Sequence, residues 1–232
     1  MEIAKEPLRL LSGMAVQAAF DADVIPRYER AGGAVEIEWN PTAVLMKEIS
    51  EGKRADVMLL TSEAVDDLVA RGIAKASTRI ELVRSNLGVA VKAGAAHPEI
   101  GTAQAFQEAL VGARSVAYTL GGASGIYFGK LIEQLGIADA VNARATRITE
   151  GLTAAKLLTG EADLAVQQIS ELLAVEGIEV VGPFPEGTQK TLSFAVACFA
   201  ESPLLEEGER FISHISDSAS GASYLRFGLD PA

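Results

Sequence analysis

Short apolar runs of strand length alternate with helical stretches from one end of the chain to the other, and this alternation limits the fold more than any other feature. The runs lie at 8–11, 35–39, 55–60, 87–91, 115–118, 163–167, 178–181 and 192–197. Helical patterns fill the intervals near 14–31, 43–51, 63–71, 102–111, 124–135 and 151–159, with another near 203–226. Most of them stop at a glycine (Gly32, Gly52, Gly72, Gly112, Gly136, Gly160), which predicts left-handed C-terminal caps. Strands that alternate with helices predict an α/β fold with parallel sheets.

The 232 residues suffice for one large domain or two lobes of about 100 residues each. With 49% hydrophobic residues the chain can bury a core without a metal or disulfide. The single cysteine, Cys198, leaves no intramolecular disulfide and no cysteine-rich zinc site. His97 and His214 are too few for a histidine-built metal centre, and no cofactor is expected. A net charge of −11 argues against a nucleic-acid surface, which needs clustered Lys and Arg. No apolar run approaches the ~20 residues of a membrane span. The start, Met1-Glu-Ile-Ala-Lys-Glu-Pro7, lacks the basic and apolar stretches of a secretory leader. The expected location is periplasmic if a leader has been removed, and cytoplasmic otherwise.

One pattern occurs twice. Ile49-Ser-Glu-Gly-Lys-Arg-Ala-Asp-Val-Met-Leu59 and Leu157-Leu-Thr-Gly-Glu-Ala-Asp-Leu-Ala-Val166 each describe a helix stopped by glycine, an Ala-Asp step, and a buried strand entering another helix. The plain reading is a common helix–strand connection; the sharper one is two lobes of similar topology facing a shared cleft. Ligands of open α/β sheets bind beyond the carboxyl ends of strands, so the matching cleft segments would be Leu60-Thr-Ser62 and Gln167-Gln-Ile-Ser170. On this reading the first lobe comprises 1–84 plus 189–232, and 85–188 form a lobe inserted into it. The lobes would be joined by two crossing strands and hinged to close on a ligand.

These residues resemble the type II periplasmic-binding-protein superfamily, most nearly its molybdate-binding-protein-like branch, over almost the whole chain. The resemblance is carried by Ser12-Gly-Met-Ala-Val16, Glu48-Ile-Ser-Glu-Gly52 before Ala55-Asp-Val-Met58, Ser124-Gly-Ile-Tyr127 with Leu135-Gly-Ile137, and Leu158-Thr-Gly-Glu-Ala-Asp163. It implies a two-lobed α/β fold with two mixed, mainly parallel sheets. It also implies a solute-binding protein for a small anion, working with the membrane subunits of an ABC-type transporter and without inserting into the membrane. Members of this branch hold a tetrahedral oxyanion with hydroxyls and backbone amides. Here Gly13-Met-Ala-Val16 stands in place of the paired serines, Asn40-Pro-Thr42 keeps one hydroxyl, and Gln167 or Gln168 replaces a tyrosine. The expected ligand is therefore a small anion held in the cleft between the lobes, an organic carboxylate or an oxyanion, with an organic carboxylate favoured over molybdate. The same branch resembles aconitate isomerase, so an isomerase of an unsaturated polycarboxylate is the alternative, and whether the chain is an enzyme stays open.

The candidate ligand-binding residues are Ser12, Gly13, Met14, Thr42, Arg84, Gly122, Ser124, Gly125, Gln167 and Gln168. Gly13 would let amides of the Ser12-Gly-Met14 turn approach a ligand closely. Thr42 stands where an N-cap is expected, and an ordinary cap is its plainer reading. Gly121-Gly-Ala-Ser-Gly125 would present a nest of amides at a strand-to-helix junction, or be a simple glycine-rich turn, and it lacks the lysine of a nucleotide-binding loop. By period-two alternation only one of Gln167 and Gln168 should face the cleft. Arg84 could fork a carboxylate or sit in a surface ion pair, and Lys190 is a weaker cation of the same kind. For an isomerase, Ser124, Tyr127 and Glu171, with Tyr118, are the candidate proton carriers.

Overall fold

The computed structural model describes residues 6–232. Residues 1–5 of the stretch read above for a leader lie outside the described residues. In chain order the elements begin with β1 (Leu8–Ser12), a 3-10 turn (Met14–Val16), α1 (Gln17–Ala19), a π turn (Phe20–Val24) and α2 (Ile25–Arg30). There follow β2 (Val35–Trp39), α3 (Thr42–Ser50), β3 (Val57–Thr61), α4 (Ser62–Ala70), a 3-10 turn (Ala76–Thr78) and β4 (Ile80–Lys92). Then come α5 (Ala103–Gly112), β5 (Val116–Thr119), α6 (Ala123–Gln134), α7 (Ala138–Asn142), β6 (Thr146–Ile148), α8 (Ala155–Leu158), β7 (Leu164–Gln168) and α9 (Ile169–Leu172). The chain ends with β8 (Ile178–Pro183), β9 (Thr191–Cys198), α10 (Leu205–Ile215), α11 (Ser218–Arg226) and β10 (Leu229–Pro231).

Every expected strand is present, and the departures have local causes. The helix expected over 14–31 is a relay of 3-10, α and π turns: Ile25 N–H reaches back to Phe20 O, and Pro26 next to it brings no N–H to the ladder. The stretch 203–226 breaks into α10 and α11 because the Asp217 carboxylate caps the second helix, accepting from Ser220 N–H at 2.8 Å. Within 151–159 only four residues are α-helical, since Thr153 N–H is taken by the Gln167 side chain. Gly112 is not a left-handed cap: it is the last residue of α5, whereas the other five expected caps have positive φ. Short β6, β10, α7 and α9 have too few residues to show a period.

The chain forms two compact units, residues 6–84 with Leu192–Ala232 and Ser85–Thr191. In the first, β1 pairs in parallel with β2 and β3, β9 runs antiparallel to β3, and β10 pairs the opening part of β4, where Ala232 N–H reaches Leu82 O. Its core is built from Leu11, Leu45, Ile49, Met58, Leu60, Leu68 and Ala197, while Phe20 packs edge-on against Trp39 and Phe211. In the second unit the remainder of β4 lies between β7 and β8, antiparallel to both, and β7, β5 and β6 run parallel. Ala90, Ala117, Leu157, Ala165 and Leu172 form its core, and Phe184 packs on Phe106 and Phe128. Gln189 brackets Leu87 of β4, accepting from its N–H and donating to its carbonyl.

Candidate functional site

In the first unit, the carboxyl ends of β1 and β3 carry most of the polar residues singled out from the sequence. Ser12 is fully buried and donates its hydroxyl to Gly13 O. Gly13 N–H is also spent, on Leu59 O at 2.8 Å. Gly13 therefore does not offer its amide to a ligand. An added Cβ there would meet Thr42 Oγ1 at an ordinary 3.5 Å, so the position does not require glycine sterically. Met14 opens the 3-10 turn with Gly13 as N-cap. Thr42 is the first residue of α3, whose cap position is Pro41, so the expected side-chain cap does not form. The segment Leu60-Thr-Ser62 is already served: Ser62 donates to both Glu81 carboxylate oxygens at 2.9 Å, and Arg79 pairs with Glu81 and Asp66. An internal anion thus stands at the start of α4. Arg84 is exposed and makes no ion pair among the described residues.

In the second unit the polar residues gather at the carboxyl ends of β5 and β7. The register Leu87↔Gln168 and Gly88↔Gln167 brings the start of this part of β4 to the same edge. Here Ser85 Oγ approaches Ser170 Oγ at 3.5 Å inside the protein. The start of α6 lies on the end of β5 so closely that a Cβ on Gly125 would sit 1.8 Å from Thr119 O and one on Gly122 2.8 Å from Thr119 Oγ1. Gly125 is required by this approach, and a side chain at Gly122 would have to displace the Thr119 hydroxyl. Gly122 is the N-cap of the 12-residue α6 and supplies no side-chain cap; Ser124 is buried in the first turn. The first amides of such a helix have no intrahelical acceptor, and its N-terminus is the positive end of the helix dipole.

Gln167 and Gln168 are both buried, as is every residue of β7, and Gln168 is also the N-cap of α9. Their roles differ. Gln167 Oε1 accepts from Thr153 N–H and Thr153 Oγ1 at 2.8 and 2.9 Å, clamping the loop before α8 rather than waiting for a ligand. Gln168 Oε1 has no partner. Tyr127 donates its hydroxyl to Thr188 O at 2.8 Å, and Lys190 lies over its ring. Burial pushes its phenol further up, which removes it as a base near neutral pH. Tyr118 donates to Asn142 Oδ1.

Among the described residues, three buried side-chain atoms lack any hydrogen-bond partner: Thr119 Oγ1, Gln168 Oε1 and Glu171 Oε2. All three belong to the ends of β5 and β7 or to α9, the short helix that follows β7. Burial pushes the Glu171 carboxyl up to about 7, against the opposing pull of the Gln168 backbone amide and the Gln167 and Gln168 side chains. Buried polar atoms in native proteins are nearly always paired, so these three, on the ends of two strands of one sheet and on the helix that follows, are the candidates for pairing with a ligand. Thr119 and Ser85 were not among the candidates; a hydroxyl at the end of a strand leading into a glycine-rich turn was the available signal for Thr119. No group of described residues could hold a metal ion, and no helix among them is long and apolar enough to cross a membrane.

The family described as bacterial extracellular solute-binding protein matches residues 8–229. An aconitate isomerase from Pseudomonas sp is 31% identical over 216 residues, covering 90% of this chain and 82% of that protein. The periplasmic molybdate-binding protein of Azotobacter vinelandii is similar in structure with a TM-score of 0.78 at 17% identity, over 96% of this chain and 98% of that one. The sulfate-binding protein SubI of Mycobacterium tuberculosis H37Rv gives 0.74 at 17% identity, over 98% and 88%. At such identity these structures speak for the fold, that of the two-lobed α/β binding proteins. Together with the match along nearly its full length, they lead to one conclusion: the chain belongs to the family of bacterial extracellular solute-binding proteins.

Proposed function

We propose that the protein captures a small organic carboxylate at the carboxyl ends of β5 and β7. The observation that carries this reading is the set of three partnerless buried atoms on Thr119, Gln168 and Glu171, the first of them against the start of α6. Their chemistry favours an organic anion over a tetrahedral metal oxyanion. A fully ionised oxyanion only accepts hydrogen bonds, and would meet the lone pair of Gln168 Oε1 with nothing to donate to it. A carboxylate that also carries hydroxyl groups offers both donors and acceptors, and its charge suits the first-turn amides around Gly122, Ser124 and Gly125. The family description supports work outside the cytoplasmic membrane, and an ABC-type transporter is the partner proposed to receive the solute. Calorimetry of the full chain against citrate, trans-aconitate, molybdate and sulfate tests the reading. Dissociation constants well below about 1 mM are expected for an organic acid and none for molybdate. Preference for molybdate, or no binding by any organic acid, overturns it.

A second reading, isomerisation of an unsaturated polycarboxylate, is favoured by Glu171 and by the 31% identity to an aconitate isomerase. A carboxyl held near pH 7 populates both protonation states, as a proton carrier must. Ionised Glu171 would take a proton from the carbon next to the double bond, the double bond would shift, and the proton would return to the former vinylic carbon. The first-turn amides of α6 would stabilise the enolate-like charge between the two transfers. Proton spectra of trans-aconitate with the protein in deuterated buffer decide this reading. Conversion or exchange that falls by about 100-fold or more in Glu171→Gln supports it, and a static spectrum eliminates it.

A further inference from the structure

A carboxyl that a soluble protein buries without a cation has to be explained, because the charged form loses its hydration and gains no ion pair in return. Glu171 is such a group. Around it, β7 carries no titratable side chain. From β8, Glu179 is turned away to His97 Nε2 and Gly94 N–H. Within this unit β4 offers only Lys92, exposed at the far end of the strand, and on α8 Lys156 is paired with Glu161. On α6, Tyr127 is committed to Thr188 O, and Lys130 and Glu133 are exposed. The groups acting on Glu171 are burial and uncharged amides, with no charge contributing.

We infer that Glu171 takes up a proton when the anion is captured, so that binding is coupled to pH through this one side chain. The inference rests on the reading of the site as one for an organic anion. An anion brought to the edge where Thr119, Gln168 and Glu171 lack partners adds a second negative charge to a group that already has no cation. Like charge next to a carboxylate favours its acid form. The acid form also turns Glu171 from an acceptor into a donor, which the arriving carboxylate can accept. By linkage, affinity is greatest where the free protein already holds the proton and falls as pH rises past that point, by as much as tenfold per pH unit. The coupling also separates the two functional readings, because a base must be ionised with its substrate in place.

The test is calorimetry of the full chain with trans-aconitate, whose own carboxyls stay ionised above about pH 6. Titrations in two buffers of different protonation enthalpy at about pH 7.5 give the number of protons taken up. A value between roughly one half and one is expected, with a dissociation constant that rises about tenfold between pH 7 and pH 8.5. Glu171→Gln, uncharged at every pH, should abolish both the uptake and the slope. Binding by the wild type with no proton uptake overturns the inference and leaves the site's assignment standing. An absence of binding in both buffers overturns the assignment and the inference with it. If Glu171→Gln does not fold or bind, the wild-type pair of titrations still decides.

Discussion

Glu171 also sets the pH dependence of folding. Its folded-state value of about 7 is raised above the ordinary glutamate value of the unfolded chain, so between those two values the native state holds more protons than the unfolded one. Stability therefore falls as pH rises through that window, and the full cost is present above about pH 7. The shift corresponds to roughly 3 kcal/mol. Urea unfolding of wild type and Glu171→Gln should give a stability difference, in favour of the variant, that grows by about that amount between pH 5 and pH 8. A pH-independent difference would mean that the carboxyl ionises freely in the folded protein. Single residues were the scale at which the sequence said least. Glu171 was one of several candidate proton carriers because its type and position were visible, but its lack of a cation was not. Tyr127 and Ser12 looked equally available until Thr188 O and Gly13 O were found to occupy their hydroxyls. The partner of Tyr127 lies 61 residues away and is settled by packing, which no local pattern encodes, and that of Ser12, though adjacent, depends on a rotamer the sequence does not show.

The repeated Ala-Asp step has a shared physical role at the level of elements. In the first unit Asp56 accepts from Arg9 N–H at 2.8 Å and from Ser202 Oγ at 2.7 Å, while its own N–H donates to Arg9 O. In the second, Asp163 accepts from Arg114 N–H at 3.1 Å and its N–H donates to Ser115 O. Each aspartate thereby ties the start of one strand, β3 or β7, to that of its parallel neighbour, β1 or β5. The two differ in exposure, 3% against 43% of the side chain. Asp56→Ala should thus cost about 2–3 kcal/mol, removing a buried carboxylate from two part-buried donors, and Asp163→Ala about 1 kcal/mol, as measured by urea unfolding. Equal costs would refute the burial argument. The pairing of helix, glycine and strand was legible in this echo because it is local; the bond across the sheet was not. Gly125→Ala probes the other close approach, since the new methyl would overlap Thr119 O. A loss of about 3 kcal/mol, with weakened carboxylate binding, is expected from unfolding and calorimetry.

For the molecule as a whole, composition and element order were enough to read an α/β chain, because hydrophobic periodicity is written continuously along it. The ligand was not, because Thr119 and Gln168 reach the same end of one sheet only after β5 and β7 pair across some fifty residues of chain. That construction has a measurable consequence. Three unpartnered buried atoms are a cost that the unliganded protein carries, on the order of 1–3 kcal/mol for each, and a ligand that pairs with them returns stability as well as affinity. The unfolded chain has no such site, so an organic acid at about 100 times its dissociation constant should stabilise the fold by about 2.7 kcal/mol. For 232 residues unfolding together this is a rise in Tm of roughly 6 °C. Thermal melts with citrate, trans-aconitate and molybdate at equal ionic strength should show the rise for an organic acid and not for molybdate. Because screening of a chain with net charge −11 acts alike in all samples, a common shift would reflect salt alone, and the pairing argument would then fail.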